Sequence, residues 1–361
     1  MANVFLGKIK GYISEAKNLA KADKLEREAA EKHPQSIILT KREVQGEWDA
    51  SRVLMTTIGG APRPITTNDL AQFRHNMRME QKNFSGDGIT ARQVIDLASS
   101  KQMSGAGQDT DLDRARKQIT MVVPVSAVNN EIRFITNAGP DSDVNRHHVL
   151  VRFNAFALAA NKLMASTAKE RKDPKQTANW LRKQKLAFDC DCGRHRYWFR
   201  YISTIGNFNA GRKELGFPKV RNPNLKGVAC KHVLRVMSEV ESSTAVLNFL
   251  SKHMEKLRDS QDNTAKHRIK QKEHDDEIKK KVNSRVNTIK TSDQRAAERK
   301  RANERESLHK KAKQATRMAK KPPATRRIES ALASGKLSAS DLEVLRRLGF
   351  TDRQVAEKLK G

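Results

Sequence analysis

The sequence predicts an α+β fold: a small antiparallel sheet with helices and an inserted cysteine–histidine finger, then a long basic segment and a short C-terminal helical pair. Three observations predict it. Three runs rich in β-branched residues follow one another between residues 119 and 153, separated by short turns. Apolar residues at helical spacing, with capping signals, flank them on both sides. All three cysteines fall between residues 190 and 230.

In chain order, residues 1–33 read as a polar amphipathic helix ending near Lys32-His33-Pro34. Residues 36–57 alternate weakly, through Ile37, Ile38 and Leu39 and again through Val53, Leu54 and Met55, and match neither period. Pro62 and Pro64 interrupt the chain before a helix expected over residues 68–80. The turn Ser85-Gly86-Asp87-Gly88 leads into the next helix, because Thr90 and Gln93 stand at capping-box spacing ahead of Val94, Ile95 and Leu97. Ser104-Gly105-Ala106-Gly107 reads as a loop. Strands are expected at 119–125, 132–136 and 148–153, joined as a meander through Asn129-Asn130 and Asn137-Ala138-Gly139-Pro140. Residues 155–167 read as a helix burying Phe156, Ala160, Leu163 and Met164, which recur at helical spacing. A further helix at 176–183 runs into a strand at 185–188.

The chain carries 71 Lys and Arg against 41 Asp and Glu, a formal net charge of +30. Such an excess attracts polyanions by releasing their counterions, so nucleic acid is the first partner class expected and acidic protein surfaces the second. No run approaches the roughly 18 apolar residues that span a bilayer. Residues 1–24 lack the apolar run and cleavage site of a signal peptide. A soluble, cytoplasmic protein with no membrane partner is expected.

Hydrophobic residues are 37% and aromatics 5%, so core material must be unevenly spread, and residues 255–327 are the poor part. They hold 24 Lys or Arg against 11 Asp or Glu, with no aromatic residue and no glycine. Ile278, Val282, Val286 and Ile289 make only a narrow apolar stripe. The segment reads as a long charged helix, a helix formed on a partner, or a solvated linker. Beyond it, Ser340 with Glu343 and Thr351 with Gln354 predict two capped helices, the first stopped at Gly349. Their pattern resembles the first two helices of a helix-turn-helix unit. No recognition helix follows before Gly361, so a module that docks protein partners is expected rather than one that reads bases.

Cys190 and Cys192 are only two residues apart, and any disulfide would leave one thiol over. Gathered beside a histidine, the cysteines read instead as a metal site. Zinc takes four thiolate or imidazole donors in a tetrahedron. Here Cys190 and Cys192 would come from a strand, and Cys230 and His232 from the start of a helix buried through Val233, Leu234, Val236, Met237 and Val240. His195 is an alternative ligand, while His147 and His148, at a strand start, read as surface or packing residues. Four donors leave no position for a catalytic water, so one structural zinc ion is the cofactor expected.

Cys-x-Cys followed by Cys-x-His, the second pair running into an apolar helix, resembles the SWIM zinc finger. The resemblance covers about residues 185–240, and Gly227-Val228-Ala229-Cys230-Lys231-His232-Val233-Leu234 fits the family pattern closely. It implies a DNA-binding or protein-interaction module. The interval between the pairs, residues 193–229, is longer than is usual in the family. This insertion carries Tyr197-Trp198-Phe199-Arg200-Tyr201, which alternates as a strand. Arg194, Arg196, Arg200, Arg212, Lys213, Lys219, Arg221, Lys226 and Lys231 crowd the region, with Arg235 just beyond. Cations interleaved with aromatics suit phosphate contact and base stacking, although the aromatics could equally cover the finger's own core. The aromatic run, Arg-Asn-Pro-Asn and Gly-x-x-Cys-Lys-His are also similar to zinc-finger proteins encoded by tailed bacteriophages.

Four regions follow: a mainly helical 1–115, an α+β 116–254 containing the finger, the basic 255–327, and a docking module at 328–361. No phosphate-binding glycine loop, partnered nucleophile or paired carboxylates point to an enzyme. The function expected is a non-catalytic zinc-finger protein that binds nucleic acid, DNA in the first place, largely through phosphates. The alternative is a structural component of a bacteriophage virion, with the zinc as a fold staple and the C-terminal helices making assembly contacts.

Overall fold

The computed structural model describes residues 38–47, 54–84, 86–100, 109–140, 142–164, 173–260, 265–270, 289–319 and 322–359, and residues 272–273, 275–276 and 278–279. The helix expected over 1–33 and the loop at 104–107 lie outside the described residues. The fold is α+β, and the chain divides into two compact units, residues 1–291 and 292–361.

The first unit is built on a five-stranded antiparallel sheet. Two short strands precede it, β1 (Met55–Thr56) and β2 (Arg63–Pro64), paired with each other. The sheet contains β3 (Val122–Val128), β4 (Glu131–Asn137), β5 (Arg146–Phe153), β6 (Leu186–Cys190) and β7 (Lys266–Arg268), in the order β6-β5-β4-β3-β7. The meander expected from the β-branched runs is present. Residues 119–121, expected as strand, precede β3, because the helix Asp111–Gln118 ends against Ile119. That helix was not anticipated, although Thr110 and Asp113 form a reciprocal capping box at its start. β7 comes from the basic segment 255–327, so part of that segment belongs to the sheet.

Alternation divides the sheet's faces. Ile132, Phe134, Val149, Val151, Phe153, Leu186, Phe188 and Cys190 are fully buried against helices, chiefly Lys231–Ser242 and Thr244–Arg258. The opposite face carries Arg133, Arg146, His148, Lys266 and Arg268, all exposed. Gly88 fixes the approach of the Ala91–Ser100 helix to β6. It has φ +100°, and a Cβ there would lie 2.8 Å from the Leu186 carbonyl oxygen.

Other expectations shift in detail. The helix Thr67–Asn83 covers residues 68–80, and Thr90 and Gln93 cap Ala91–Ser100 as their spacing predicts. The helix Phe156–Leu163 buries Ala159 and Leu163 and leaves Met164 exposed, because it ends before Met164 can turn inward. Pro174–Leu181 starts two residues earlier than expected, with Asp173 as N-cap. Residues 36–57, untyped in the sequence, contain a one-turn helix, Lys41–Gln45, and β1.

The second unit holds the helix Ser292–Ala319 and three short helices, Pro323–Ala333, Ala339–Arg347 and Asp352–Lys358. The expected C-terminal pair is therefore three helices. Ser338 and Asp341 make the capping box of the middle one, two residues before the Ser340–Glu343 pair that the spacing suggested. The earlier start places Leu342 with Ile328, Val355 and Ala356 in one small core. Thr351 and Gln354 cap the last helix as expected, and Gly349, at φ +86°, ends the helix before it.

Candidate metal centre

Cys190 is the last residue of β6, and its β5 neighbour is Val149. Both point to the helix-packed face of the sheet. Cys192 follows one residue beyond the strand, where the chain turns into a helical segment and returns its thiol toward Cys190. The His195 backbone N–H donates to the Cys192 Sγ at 3.3 Å and holds that turn. Cys230 is the N-cap of the Lys231–Ser242 helix, whose Val233, Leu234, Val236, Met237 and Val240 are all fully buried. His232, in the first turn, brings its Nδ1 to 4.0 Å from the sulfurs of both Cys190 and Cys230.

The four donor atoms lie within 4.8 Å of one another, and all four residues are buried. A tetrahedral zinc with sulfur at about 2.3 Å needs donors a little under 4 Å apart, so the cluster fits such an ion after small adjustment. The chemistry of the thiols argues the same way. Burial pushes the Cys190 and Cys230 thiols well above their ordinary range, while hydrogen bonds from those two thiols hold Cys192 well below it. Three thiols in one dry pocket cannot all lose their protons without a cation, and a bound dication supplies that charge.

Two residues beside the ligands were not assigned to the site from the sequence. His147 lies two residues before Val149 on β5 and therefore faces the same side as Cys190. Its ring centre is 4.4 Å from that of His232, and its Nδ1 is 2.8 Å from Asp191 Oδ1. Asp191, between the two strand cysteines, also accepts the His148 backbone N–H at 3.0 Å. With the Asp191 backbone N–H donating to the His148 carbonyl at 3.2 Å, the knuckle is tied to β5 three times. His147 is a packing residue, one of the two readings expected for it, and what it packs on is a member of the cluster; the period-two alternation from Val149 was the signal. His195 is not a ligand: it is fully buried, with Nε2 3.1 Å from Asp189 Oδ1. Burial would raise the Asp189 carboxyl, but His195 and Arg200 beside it outweigh that and hold it below the ordinary carboxylate value.

The insertion, residues 193–229, is part of the first unit's core. Residues 197–201, expected as a strand, are helical: a π-turn over His195–Phe199 continues into Arg200–Ile205. His195, Phe199 and Ile202 are all fully buried, and that 4,3 spacing outweighs a five-residue alternation among aromatics. Phe199 and Tyr201 thus cover the core, while Trp198 lies half-buried between Arg194 and Arg221. Asn222 pins the second loop, donating to the Trp198 and Lys226 carbonyls and accepting the Lys226 N–H.

Several cations expected on nucleic acid are committed inside the protein. Arg194 clamps Asp111 with two hydrogen bonds, at 2.7 and 3.0 Å. Arg200 does the same to Asp189. Lys219 is fully buried and donates to the Met55 carbonyl, Lys231 donates to Gln118, and Arg235 is buried against Glu239. Arg196 is half-buried against the Tyr197 ring. Arg212, Lys213, Arg221 and Lys226 are exposed. A helical insertion buries one side of itself, so a cation-rich stretch divides between core anchors and surface.

Among the described residues, no helix is long and apolar enough to cross a membrane. Comparison of the chain with known protein families, with curated proteins and with solved structures finds no match.

Proposed function

We propose that this chain is a non-catalytic protein stapled by one zinc ion in a SWIM-type site, and that it binds nucleic acid largely through phosphate contacts. The observation that carries the zinc reading is the cluster of Cys190, Cys192, Cys230 and His232, four buried donors drawn from a strand end and a helix start. Such a donor set suits zinc, and four protein ligands fill its tetrahedron, which is the arrangement of a structural ion. The nucleic-acid reading rests on the net charge of +30 and on where the cations lie. Arg212, Lys213, Arg221 and Lys226 remain on the insertion's surface. The Ser292–Ala319 helix adds nine Lys or Arg against four Asp or Glu over 28 residues, about 42 Å of helix.

The test combines metal content and nucleic-acid affinity on protein freed of bound nucleic acid by nuclease and a high-salt wash. One zinc per chain is expected, together with duplex binding whose affinity falls steeply as salt rises. Zinc without any nucleic-acid binding at physiological salt would overturn the second half of the reading and turn attention to a structural role in an assembly. Absence of zinc would overturn the first half.

A further inference from the structure

We infer that the open face of the five-stranded sheet is the site that grips the phosphate backbones of a double-stranded nucleic acid, through Arg133, Arg146, Lys256, Lys266 and Arg268. The inference rests on the nucleic-acid reading above and moves its main contact surface away from the zinc finger.

A cleft of about 660 Å³ lies along this face and round its β7 edge; Arg133, Arg146, Lys266 and Arg268 line it from the strands and Lys256 from the Thr244–Arg258 helix behind β7, with His148 and a floor that includes Val125, Val128 and Ile135. Among the described residues, no carboxylate lines it. All five cations are exposed, and among the described residues none is in an ion pair. The carboxylates that do share the face are already engaged. Glu131, in the row beside Arg133, is held by Arg152 at 2.9 Å, and Asp189, at the β6 end, is held by Arg200. Positive charge has been left without a partner here, while the same sheet neutralises its acids one by one.

The layout suits a duplex. Arg268 stands beside Ser126 on β3, and Ser126 stands beside Arg133 on β4. Two strand spacings separate the arginines, roughly 10 Å. That is close to the width of a major groove, about 12 Å, so the β7 cations and the β4–β5 cations can follow phosphates on opposite strands. Lys266 and Arg268 lie two residues apart on one face of β7, a step comparable to the distance between successive phosphates. Single strands are usually held by bases stacked on aromatic rings. Among the described residues, no Phe, Tyr or Trp lines this cleft, so it offers phosphate contact without base stacking. A duplex presents that surface, with its bases stacked inside.

The experiment uses the full-length zinc-loaded protein, a fluorescent 20-base-pair duplex of arbitrary sequence, one of its strands alone, and poly-glutamate. Arg133→Ala with Arg268→Ala is compared with wild type and with Arg212→Ala/Lys213→Ala on the insertion. Zinc content and circular dichroism confirm that each variant is folded, and Lys256→Ala/Lys266→Ala gives a second, independent pair. Each lost phosphate contact should lower the log–log salt slope by about 0.9. The sheet-face pairs should therefore lose close to two units of slope and at least tenfold in duplex affinity, and the insertion pair less. If wild type binds the duplex and neither sheet-face pair weakens it, this inference fails and the nucleic-acid reading survives. If wild type binds no duplex or single strand, both fail. Equal or tighter binding of the single strand, or of poly-glutamate, overturns the choice of partner.

Discussion

The two units of this chain are stabilised in opposite ways from similar material. The first encloses Phe134, Phe153, Phe188, Phe199, Phe208 and Phe217 in one continuous core and adds a buried cysteine–histidine cluster, able to hold a metal ion, at the junction of β6 and the Lys231–Ser242 helix. The second gathers only Ile328, Leu342, Val355 and Ala356 into a core of four side chains and relies on capping boxes at Ser338 and Thr351. A small core is rescued by local helix signals, whereas a large one can tolerate internal cations such as Lys219 and Arg235, provided each finds a partner.

The strongest way to break the comparison is to remove the metal. Structural zinc contributes on the order of 10–16 kcal/mol in isolated fingers, comparable with the whole stability of a domain. Cys230→Ser, or treatment with a strong chelator, should therefore unfold much of residues 173–258 and leave the helices between 323 and 358 intact. Hydrogen exchange read by mass spectrometry separates the two. Protection lost in both units together would mean that they are not independent.

The reverse test is Leu342→Ala. A buried leucine truncated to alanine costs about 2–5 kcal/mol, and a core of four side chains has little in reserve. Exchange protection over residues 323–358 should disappear while zinc content stays at one per chain. A milder change sharpens the account of the metal site. Asp191→Ala removes the two side-chain ties between the knuckle and β5, each worth about 1 kcal/mol, and leaves the backbone bond from the Asp191 N–H to the His148 carbonyl. The expected result is faster zinc transfer to a chelator with the fold retained; an unchanged transfer rate would leave Asp191 and His147 no part in holding the site.

What was legible in the sequence follows from how local each signal is. The strands, the Thr90 and Thr351 caps and the four residues of the cysteine–histidine cluster were all readable, because alternation, side-chain capping and ligand chemistry act over a few residues. The turn into the 195–205 helix was not. Tyr197, Phe199 and Tyr201 satisfy the strand period over five residues, and only the burial of His195, Phe199 and Ile202 against the rest of the core brings out the helical one. The division of the insertion's cations was hidden for the same reason. Nothing local distinguishes Arg194, clamped on Asp111 from 83 residues away, from Arg221 at the surface. His147 was recoverable, since strand alternation places it with Val149 and Cys190, but this needed the β5–β6 pairing.

The smallest expected effect separates the units by pH. Burial and the charges of Lys256, His253 and Lys252 hold His267 down to about 4, and its ring stacks on Phe249 at 4.6 Å. An unfolded chain would protonate the same imidazole near 6.5. Between those values the unfolded state binds the proton and the folded state does not, so stability contributed at neutral pH is lost as pH falls from about 6.5 to 4. His253, buried and bonded to the Asn129 carbonyl, is shifted in the same direction, again mainly by burial. Residues 323–358 contain no histidine, so their helices should keep their exchange protection over the upper part of that window. Acid also competes with zinc for the thiolates, and the direct readout is therefore the imidazole itself, followed by NMR. A His267 midpoint near 4 is expected in the free protein, rising when a duplex occupies the sheet face, because bound phosphates offset the cations that hold it down. A midpoint near 6.5 in the free protein would mean that the helix Thr244–Arg258 does not close over β7, and the sheet's basic edge would lose the field that its unpaired cations should create.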